Sequence, residues 1–457
     1  MKAGYLPMKT YDVEITDLAY DGKSVGAIDG KITFLDRGLP GETVSARLIK
    51  KKARHNVGRV QEILTKSPDR ISAPCGHFEE CGGCTWQDLD YNKQLFYKRK
   101  QVVDCLEHLG KFEAVDVAEA VPTREQFHYR NKMEFSLNRR DGDFTIGLHK
   151  RGHFDEIFDL DTCLLQSPVA NDIVHWFRDF LKHHDIPVYN VVDHDGFVRF
   201  LMIRTARATG QIMLNIVTTE GDFPHVEKLV AEATARFPDI TTMVQNINTK
   251  KSNIARGERE VVLHGDGFIV EKLFDYDFVI NANSFFQTNT QQTETLYQTV
   301  FDVLAPKPED RLLDLYCGTG SIGICASGRV ADVIGIELEP TAIQAAEENA
   351  RVNDIQNIRF HAGSVQDFLR EFRDILDDRT AAVVDPPRAG LHPKALKGLC
   401  KLAFPRLVFV SCNPATFARD ARGLVEAGYR MGKVIPVDMF PHTMHIELVA
   451  GFDRLEC

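Results

Sequence analysis

Cys412 closes the apolar run RLVFVS and is followed by Asn413-Pro414, while Glu447 stands downstream in HIELVAGF. A thiol at a strand end can attack as a nucleophile, and a carboxylate in apolar surroundings can accept a proton. Together they suggest covalent catalysis followed by proton removal. Most cysteines are buried and inert, and a free thiol with a pKa of about 8.5 needs local help to react at neutral pH. The strand-end setting favours reactivity at Cys412. Glu447, taken alone, reads as an exposed strand position.

The same C-terminal third carries LLDLYCGTGSIG (312–323), in which GTGSIG (318–323) follows an apolar strand and precedes a helix. Such glycines permit a tight turn and close approach of a ligand to the backbone. Glu337 ends the next strand about 20 residues on, where a carboxylate can accept from two ribose hydroxyls. The pattern fits a dinucleotide or S-adenosylmethionine equally. DPPRAGL (385–391) follows a third apolar run, AAVV, as a rigid outward turn. Tyr316, Glu337 and Asp385 thus place polar groups at three successive strand ends.

A separate cluster occupies PCGHFEECGGC, where Cys75, Cys81 and Cys84 are closely spaced, and Cys163 in DLDTCLL could complete a four-thiolate set. Four thiolates suit zinc or an iron–sulfur cluster, and spacing alone does not choose between them. The CxxxCxxC spacing of radical enzymes is absent. Cys105, Cys317, Cys325, Cys400 and Cys457 read as structural.

Three groups of elements must position these residues. Residues 8–66 hold short β-like runs separated by DG, DG and GLPG, the pattern of a small barrel. Its last hairpin carries Arg47, Lys50, Lys51, Lys52, Arg54 and Arg59, with no acidic residue between Glu42 and Glu62. Such a run is a solvated face or a nucleic-acid contact. A helix is expected at 91–110, closed by Gly110 and packed on either the middle or the C-terminal domain. Residues 127–218 are strand-rich, with helices read at 176–184 and, just beyond, at 225–237, an α+β middle domain. From about 275, strand and helix alternate as in a doubly wound parallel sheet. The expected divisions are 1–67, 68–270 and 271–457.

At 457 residues the chain is too long for a single core. Ten cysteines are too few for a disulfide scaffold. The first residues lack an apolar leader and no run is long enough to span a bilayer, so a cytoplasmic location without membrane association is expected. The net charge of −10 argues against a partner held mainly through phosphates.

Taken together, QTN, LYCGTGSIG, DPPRAGL, SCNPATFARD and HIE, in this order behind a barrel and a cysteine cluster, resemble a known family. It is the S-adenosylmethionine-dependent RNA uracil-5-methyltransferases of the RumA (RlmD) type, which act on 23S ribosomal RNA. The resemblance covers nearly the whole chain. It implies an α/β multidomain fold: an OB-like TRAM β-barrel, an α+β central domain and a Rossmann-like methyltransferase domain. It further implies that Cys75, Cys81, Cys84 and Cys163 hold a [4Fe–4S] cluster, with zinc as the fallback metal. Gln287, Tyr316, Glu337 and Asp385 would contact S-adenosylmethionine, Cys412 would be the nucleophile and Glu447 the base. Transfer-RNA relatives of the TrmA type lack the barrel and the cluster, which favours 23S ribosomal RNA as the partner. No obligate protein partner is implied.

Three rivals remain at this point. A cytosine-5 DNA methyltransferase would share the covalent logic but not the barrel and cluster. An NAD-binding oxidoreductase would use GTGSIG and Glu337 but has no role for Cys412 with Glu447. The third is a non-catalytic RNA-binding module with structural zinc.

Overall fold

The computed structural model describes residues 9–455 apart from 141–142, 154, 252 and 372–376; Cys457 lies outside them. Strands β1 (Thr10–Leu18), β2 (Ser24–Ile28), β3 (Lys31–Leu35), β4 (Thr43–Lys51) and β5 (Asn56–Thr65) close a barrel in the order β1-β2-β3-β5-β4. Alternation along the strands sends Val13, Ile15, Val44, Ala46, Leu48 and Val60 inward. The DG turn between β2 and β3 is a two-residue hairpin loop with both Asp29 and Gly30 at positive φ, as the right-handed twist of the strands requires.

Helix α1 (Tyr91–His108) starts at Asp90, whose carboxylate caps Asn92 and Lys93. Its Val102, Cys105 and Leu106 share a core with Leu313 and Phe409 of the C-terminal sheet, so its buried face belongs to that sheet.

The middle region is built from β6 (Lys132–Arg140), β7 (Asp143–His149), β8 (Ile157–Asp159), α2 (Pro168–His183), β9 (Val198–Thr205), β10 (Ile212–Thr218), α3 (Val226–Arg236), β11 (Ile240–Ile247) and β12 (Arg259–His264). The strands form one sheet in the order β12-β11-β10-β9-β6-β7-β8. Helix α2 begins two turns earlier than the expected residue 176. Pro168 sits in its first turn, where a missing N–H costs nothing, so the proline marks a start and not a break.

A ribbon of β13 (Phe268–Leu273) and β14 (Tyr276–Asn281) spans the expected 270/271 join and leads to α4 (Thr290–Leu304). Then follow β15 (Arg311–Leu315), α5 (Ser321–Ala326), β16 (Asp332–Glu337), α6 (Pro340–Val352), β17 (Ile358–Ala362), α7 (Val365–Glu371), β18 (Thr380–Val384), α8 (Pro393–Leu402), β19 (Arg406–Ser411), α9 (Pro414–Glu426), β20 (Tyr429–Val437) and β21 (Glu447–Arg454). The sheet order is β17-β16-β15-β18-β19-β21-β20, parallel from β17 to β19 with β21 antiparallel. Leu313 and Leu315 bury toward one face and Leu312 toward the other, each face covered by helices. Each such buried leucine contributes roughly 1.5–3 kcal/mol. Among the described residues no helix is long and apolar enough to cross a membrane.

Candidate active site

Strand order brings the chemistry together. Strands β15, β16, β18 and β19 run the same way, so Tyr316, Glu337, Asp385 and Cys412 all lie at their carboxyl ends. The order reverses at β15, flanked by β16 and β18, which is where open α/β sheets bind ligands. Strand β21 runs the opposite way and begins at this same edge. Ser411 pairs with Leu448, so Glu447 stands level with Cys412.

The surroundings hold protons tightly. Burial pushes the Cys412 thiol up to about 11, with Glu447 and Asp385 adding to the effect and Arg388 opposing it. Glu447 is only 6% exposed, and burial, followed by the nearby Asp385, raises its carboxyl well above the usual range. Burial lifts Asp385 to about 6. His445, beside them in sequence, is pushed down to about 4 by burial and then by Arg388, so it is neutral at pH 7.

The Cys412 loop and the DPPR turn are stitched together by Asn413. Its Oδ1 accepts from the amides of Ala415 at 3.0 Å and Thr416 at 3.4 Å, capping α9, and its Nδ2 donates to the Arg388 carbonyl at 2.9 Å. Neither Asn413 nor Arg388 was singled out from the sequence, although both lie inside the SCNP and DPPR runs.

The glycine loop turns sharply, with Tyr316, Gly318 and Gly320 all at positive φ. A Cβ on Gly320 would come within 2.9 Å of Phe360, so only glycine fits there. Asp314 Oδ2 accepts from Gly323 N at 2.8 Å and holds the loop to its strand. Its Oδ1 is buried without a partner, and burial raises the group to about 7. Glu337 accepts from Gly318 N at 3.2 Å and Glu339 N at 2.9 Å, fixing its carboxylate beside the loop. Tyr316 is pushed up to about 12 by burial and stays a neutral hydroxyl.

Gln287 is half-buried on a strap that crosses to this loop, where the Phe285 carbonyl accepts from Thr319 Oγ1 at 3.5 Å. Asn131 of the middle region pins the strap: its Nδ2 donates to the Gln287 carbonyl at 2.8 Å and its amide to the Thr288 carbonyl at 2.9 Å. Sequence reasoning missed Asn131, which sat unremarked in a stretch read only as strand.

The four cysteines gather away from this edge, in the core of the middle region. All are free thiols; Cys75 is half-buried and Cys81, Cys84 and Cys163 are buried. Burial raises Cys84 to about 12, with Cys163, Cys81 and Cys75 raising it further and Gln87 opposing. Gly83 N donates to Cys81 Sγ at 3.3 Å and Gln87 Nε2 to Cys84 Sγ at 3.0 Å. Such donors suit thiolate ligands. Among the described residues no group of three or more His, Cys, Asp or Glu side chains is arranged to hold a metal ion.

Comparison with known proteins agrees with this architecture. The family model described as tRNA (Uracil-5-)-methyltransferase matches residues 239–452, and a TRAM domain model matches residues 7–61. An uncharacterized RNA methyltransferase of Chlorobaculum tepidum is 40% identical, covering 97% of this chain and 96% of its own. Another from Halalkalibacterium halodurans is 36% identical, covering 96% of each. The crystal structure of Pyrococcus abyssi tRNA (uracil-54, C5)-methyltransferase in complex with S-adenosyl-L-homocysteine superposes with a TM-score of 0.78 at 32% identity. That match covers 96% of this chain and 99% of the other. With the barrel, the switch-point loop and the Cys412–Glu447 edge all in place, the chain belongs to the RNA uracil-5-methyltransferase family and carries a TRAM domain ahead of its catalytic sheet.

Proposed function

We propose that this enzyme methylates carbon 5 of a uridine in 23S ribosomal RNA, with S-adenosylmethionine as methyl donor and a covalent Cys412 intermediate. The observation that carries the reading is the register placing Glu447 level with Cys412 at the ligand edge of the sheet. Glu337, Tyr316, Gln287 and Asp385 would hold the donor, whose bound sulfonium supplies an electrophilic methyl group. The charges of Asp385 and Glu447 help keep the Cys412 proton in place; a cationic donor held nearby would weaken that field, and the thiol proton would pass to solvent as the thiolate attacks.

Carbon 5 of uracil is a poor nucleophile. Addition of the Cys412 thiolate to carbon 6 would place an electron pair on the carbon 5 enolate, which would take the methyl as the donor's S–CH3 bond breaks and S-adenosylhomocysteine leaves. The Glu447 carboxylate then removes the carbon 5 proton. The released pair re-forms the 5,6 double bond and expels the Cys412 thiolate. A carboxyl of raised pKa is the stronger base once ionised. The target base must leave its stack to reach this edge.

Cys75, Cys81, Cys84 and Cys163 would supply the four thiolates of a [4Fe–4S] cluster, with donors to the Cys81 and Cys84 sulfurs, and binding would draw the four thiols together as ligands. It would tie residues 75–84 to Cys163, and no step of methyl transfer runs through it.

A second reading, uridine in transfer RNA, is favoured by one observation. The Pyrococcus abyssi transfer-RNA enzyme covers so much of this chain that the barrel no longer separates the two substrate classes. The oxidoreductase reading is set aside, since the family is one of methyltransferases.

The test is label transfer from S-adenosylmethionine to unmodified 23S ribosomal RNA and transfer RNA side by side. Label as 5-methyluridine in ribosomal RNA alone is expected; label in transfer RNA alone would overturn the substrate. RNA carrying 5-fluorouridine should trap the protein covalently, and Cys412→Ser should abolish the adduct. An adduct that survives in Cys412→Ser would sink the assignment of the nucleophile.

A further inference from the structure

We propose that Tyr20, a residue of the barrel, is a positioning residue for the methyl-transfer site, holding the nucleophile loop from outside the catalytic domain. The proposal rests on the covalent reading of Cys412. Tyr20 lies in the turn between β1 and β2, half-buried against the core of the catalytic sheet. Its hydroxyl donates to Asn413 Oδ1 at 2.8 Å. Asn413 follows the nucleophile directly, caps α9 with that same oxygen and reaches the Arg388 carbonyl with its amide nitrogen. One side-chain amide therefore joins the barrel, the Cys412 loop and the DPPR turn.

Arg388 bears on both ends of this arrangement. Its guanidinium favours the ionised form of the Tyr20 hydroxyl and of the Cys412 thiol alike. Arg388 is exposed at the end of a turn, so its direction depends on what holds it. Its carbonyl accepts from Asn413 Nδ2 at 2.9 Å and from Thr416 Oγ1 at 3.4 Å, and Tyr20 bears on it through Asn413. A tyrosine whose own ionisation is opposed by burial serves here as a fixed donor and not as a base.

The turn that carries Tyr20 is itself fastened to the catalytic side. Gln101 Nε2 donates to the Ala19 carbonyl at 3.0 Å, and Lys100 of α1 pairs with Asp17 at 2.6 Å. Gly22, at φ +78°, lies so near Met444 that a Cβ there would stand 2.9 Å from its sulfur. Met444 belongs to the loop that runs into Glu447. The barrel thus abuts both catalytic loops, and an RNA gripped by the barrel is held by a body that also sets the nucleophile.

The experiment compares Tyr20→Phe with the parent and with Arg37→Ala, which removes a barrel contact to Glu79 at 2.8 Å that the Tyr20–Asn413 arrangement does not use. In Tyr20→Phe, kcat and the rate of adduct formation with 5-fluorouridine RNA should both fall about tenfold. KM for RNA should stay within about twofold and Tm should be unchanged. Arg37→Ala should leave kcat near the parent value. Unchanged kcat in Tyr20→Phe, a rise in KM alone, or an equal kcat loss in Arg37→Ala would each overturn the proposal. If the parent itself forms no adduct, the covalent reading fails and Tyr20 falls with it; an adduct formed at the parent's rate in Tyr20→Phe overturns Tyr20 alone.

Discussion

The amide of Thr85, the residue after Cys84, donates to the carbonyl oxygen of His442 at 2.8 Å, and His442 lies on the loop that runs into Glu447. Trp86 N donates to the same carbonyl at 3.0 Å. Gln94 of α1 completes the grip, accepting from His442 N at 2.9 Å and meeting its Nδ1 at 3.2 Å, while Phe127 stacks on the ring at 4.3 Å. His442 is held at φ +66°, a conformation that a non-glycine residue keeps only where its surroundings impose it.

From this follows a prediction about the cysteine loop. If the four cysteines hold the proposed cluster, Cys84→Ser, purified without oxygen, should carry less iron than the parent and unfold several degrees lower. It should also cost kcat about tenfold, because the loop that runs into Glu447 is loosened. Iron content, thermal unfolding and turnover on the same preparation decide it. Full turnover by an iron-free variant would mean that the two loops touch without consequence.

The acidity of the site should be visible in stability. A carboxyl whose folded pKa is raised above its unfolded value weakens the fold once it ionises. The penalty is absent below the unfolded pKa and complete above the folded one. For Asp385 the window runs from 3.8 to about 6. Asp385→Asn should therefore unfold like the parent at about pH 3 and be more stable by roughly 3 kcal/mol at pH 8. Glu447→Gln should follow the same sign while abolishing release of the methylated adduct. Urea titrations at the two pH values check both; a difference that is constant with pH would show that these carboxyls are not strained.

Free Cys412 should be a sluggish thiol, since burial and then Glu447 and Asp385 hold it at about 11. Alkylation by iodoacetamide at pH 8 should be slow in the free protein and faster in Glu447→Gln, where one opposing charge is gone. Adding S-adenosylmethionine should raise the alkylation rate of the parent if its charge enters the pocket without covering the sulfur. Mass spectrometry of the Cys412 peptide reads this directly, and equal rates in parent and Glu447→Gln would contradict the coupling.

How much of this was legible beforehand depends on whether a feature is local. The glycine loop, the DPPR turn and Cys412 are strand-end signals written in consecutive residues, and each lies where the pattern put it. Glu447 alone read as exposed, yet it is buried because β21 inserts between β19 and β20. Strand order of that kind is absent from periodicity, since any strand of the same composition could sit at an edge. Tyr20 and Asn131 were invisible for a similar reason. Each is one residue whose polar contacts join distant segments, with no repeating neighbour to announce it.

Lys98 and Asp438 form a fully buried pair at 2.6 Å, with Tyr91 and the Phe440 carbonyl as further partners. Removing one partner leaves a buried charge, so Lys98→Met should destabilise by about 3–5 kcal/mol. The double change Lys98→Met with Asp438→Leu should recover most of that loss. Chemical denaturation of the three variants gives the coupling, and an innocuous Lys98→Met would place water in the site.

The barrel's basic hairpin gives the last prediction. Lys50, Lys51, Lys52 and Arg54 are exposed at its tip, whereas Arg59 is paired with Asp36 at 3.5 Å. An acidic chain can bind RNA if its cations are gathered on one face, and this tip is the densest such patch in the sequence. Replacing Lys50–Lys52 by alanine removes three phosphate partners. The slope of log affinity against log salt should shrink by about 2, because each neutralised phosphate on a single strand contributes roughly 0.7. At saturating RNA, kcat should stay within about twofold of the parent, since these lysines stand exposed on the barrel's hairpin. A lower kcat with an unchanged salt slope would mean that the tip acts through barrel docking. The two surfaces of the barrel would then share one role, where the geometry gives Tyr20 the loop and the lysines the strand.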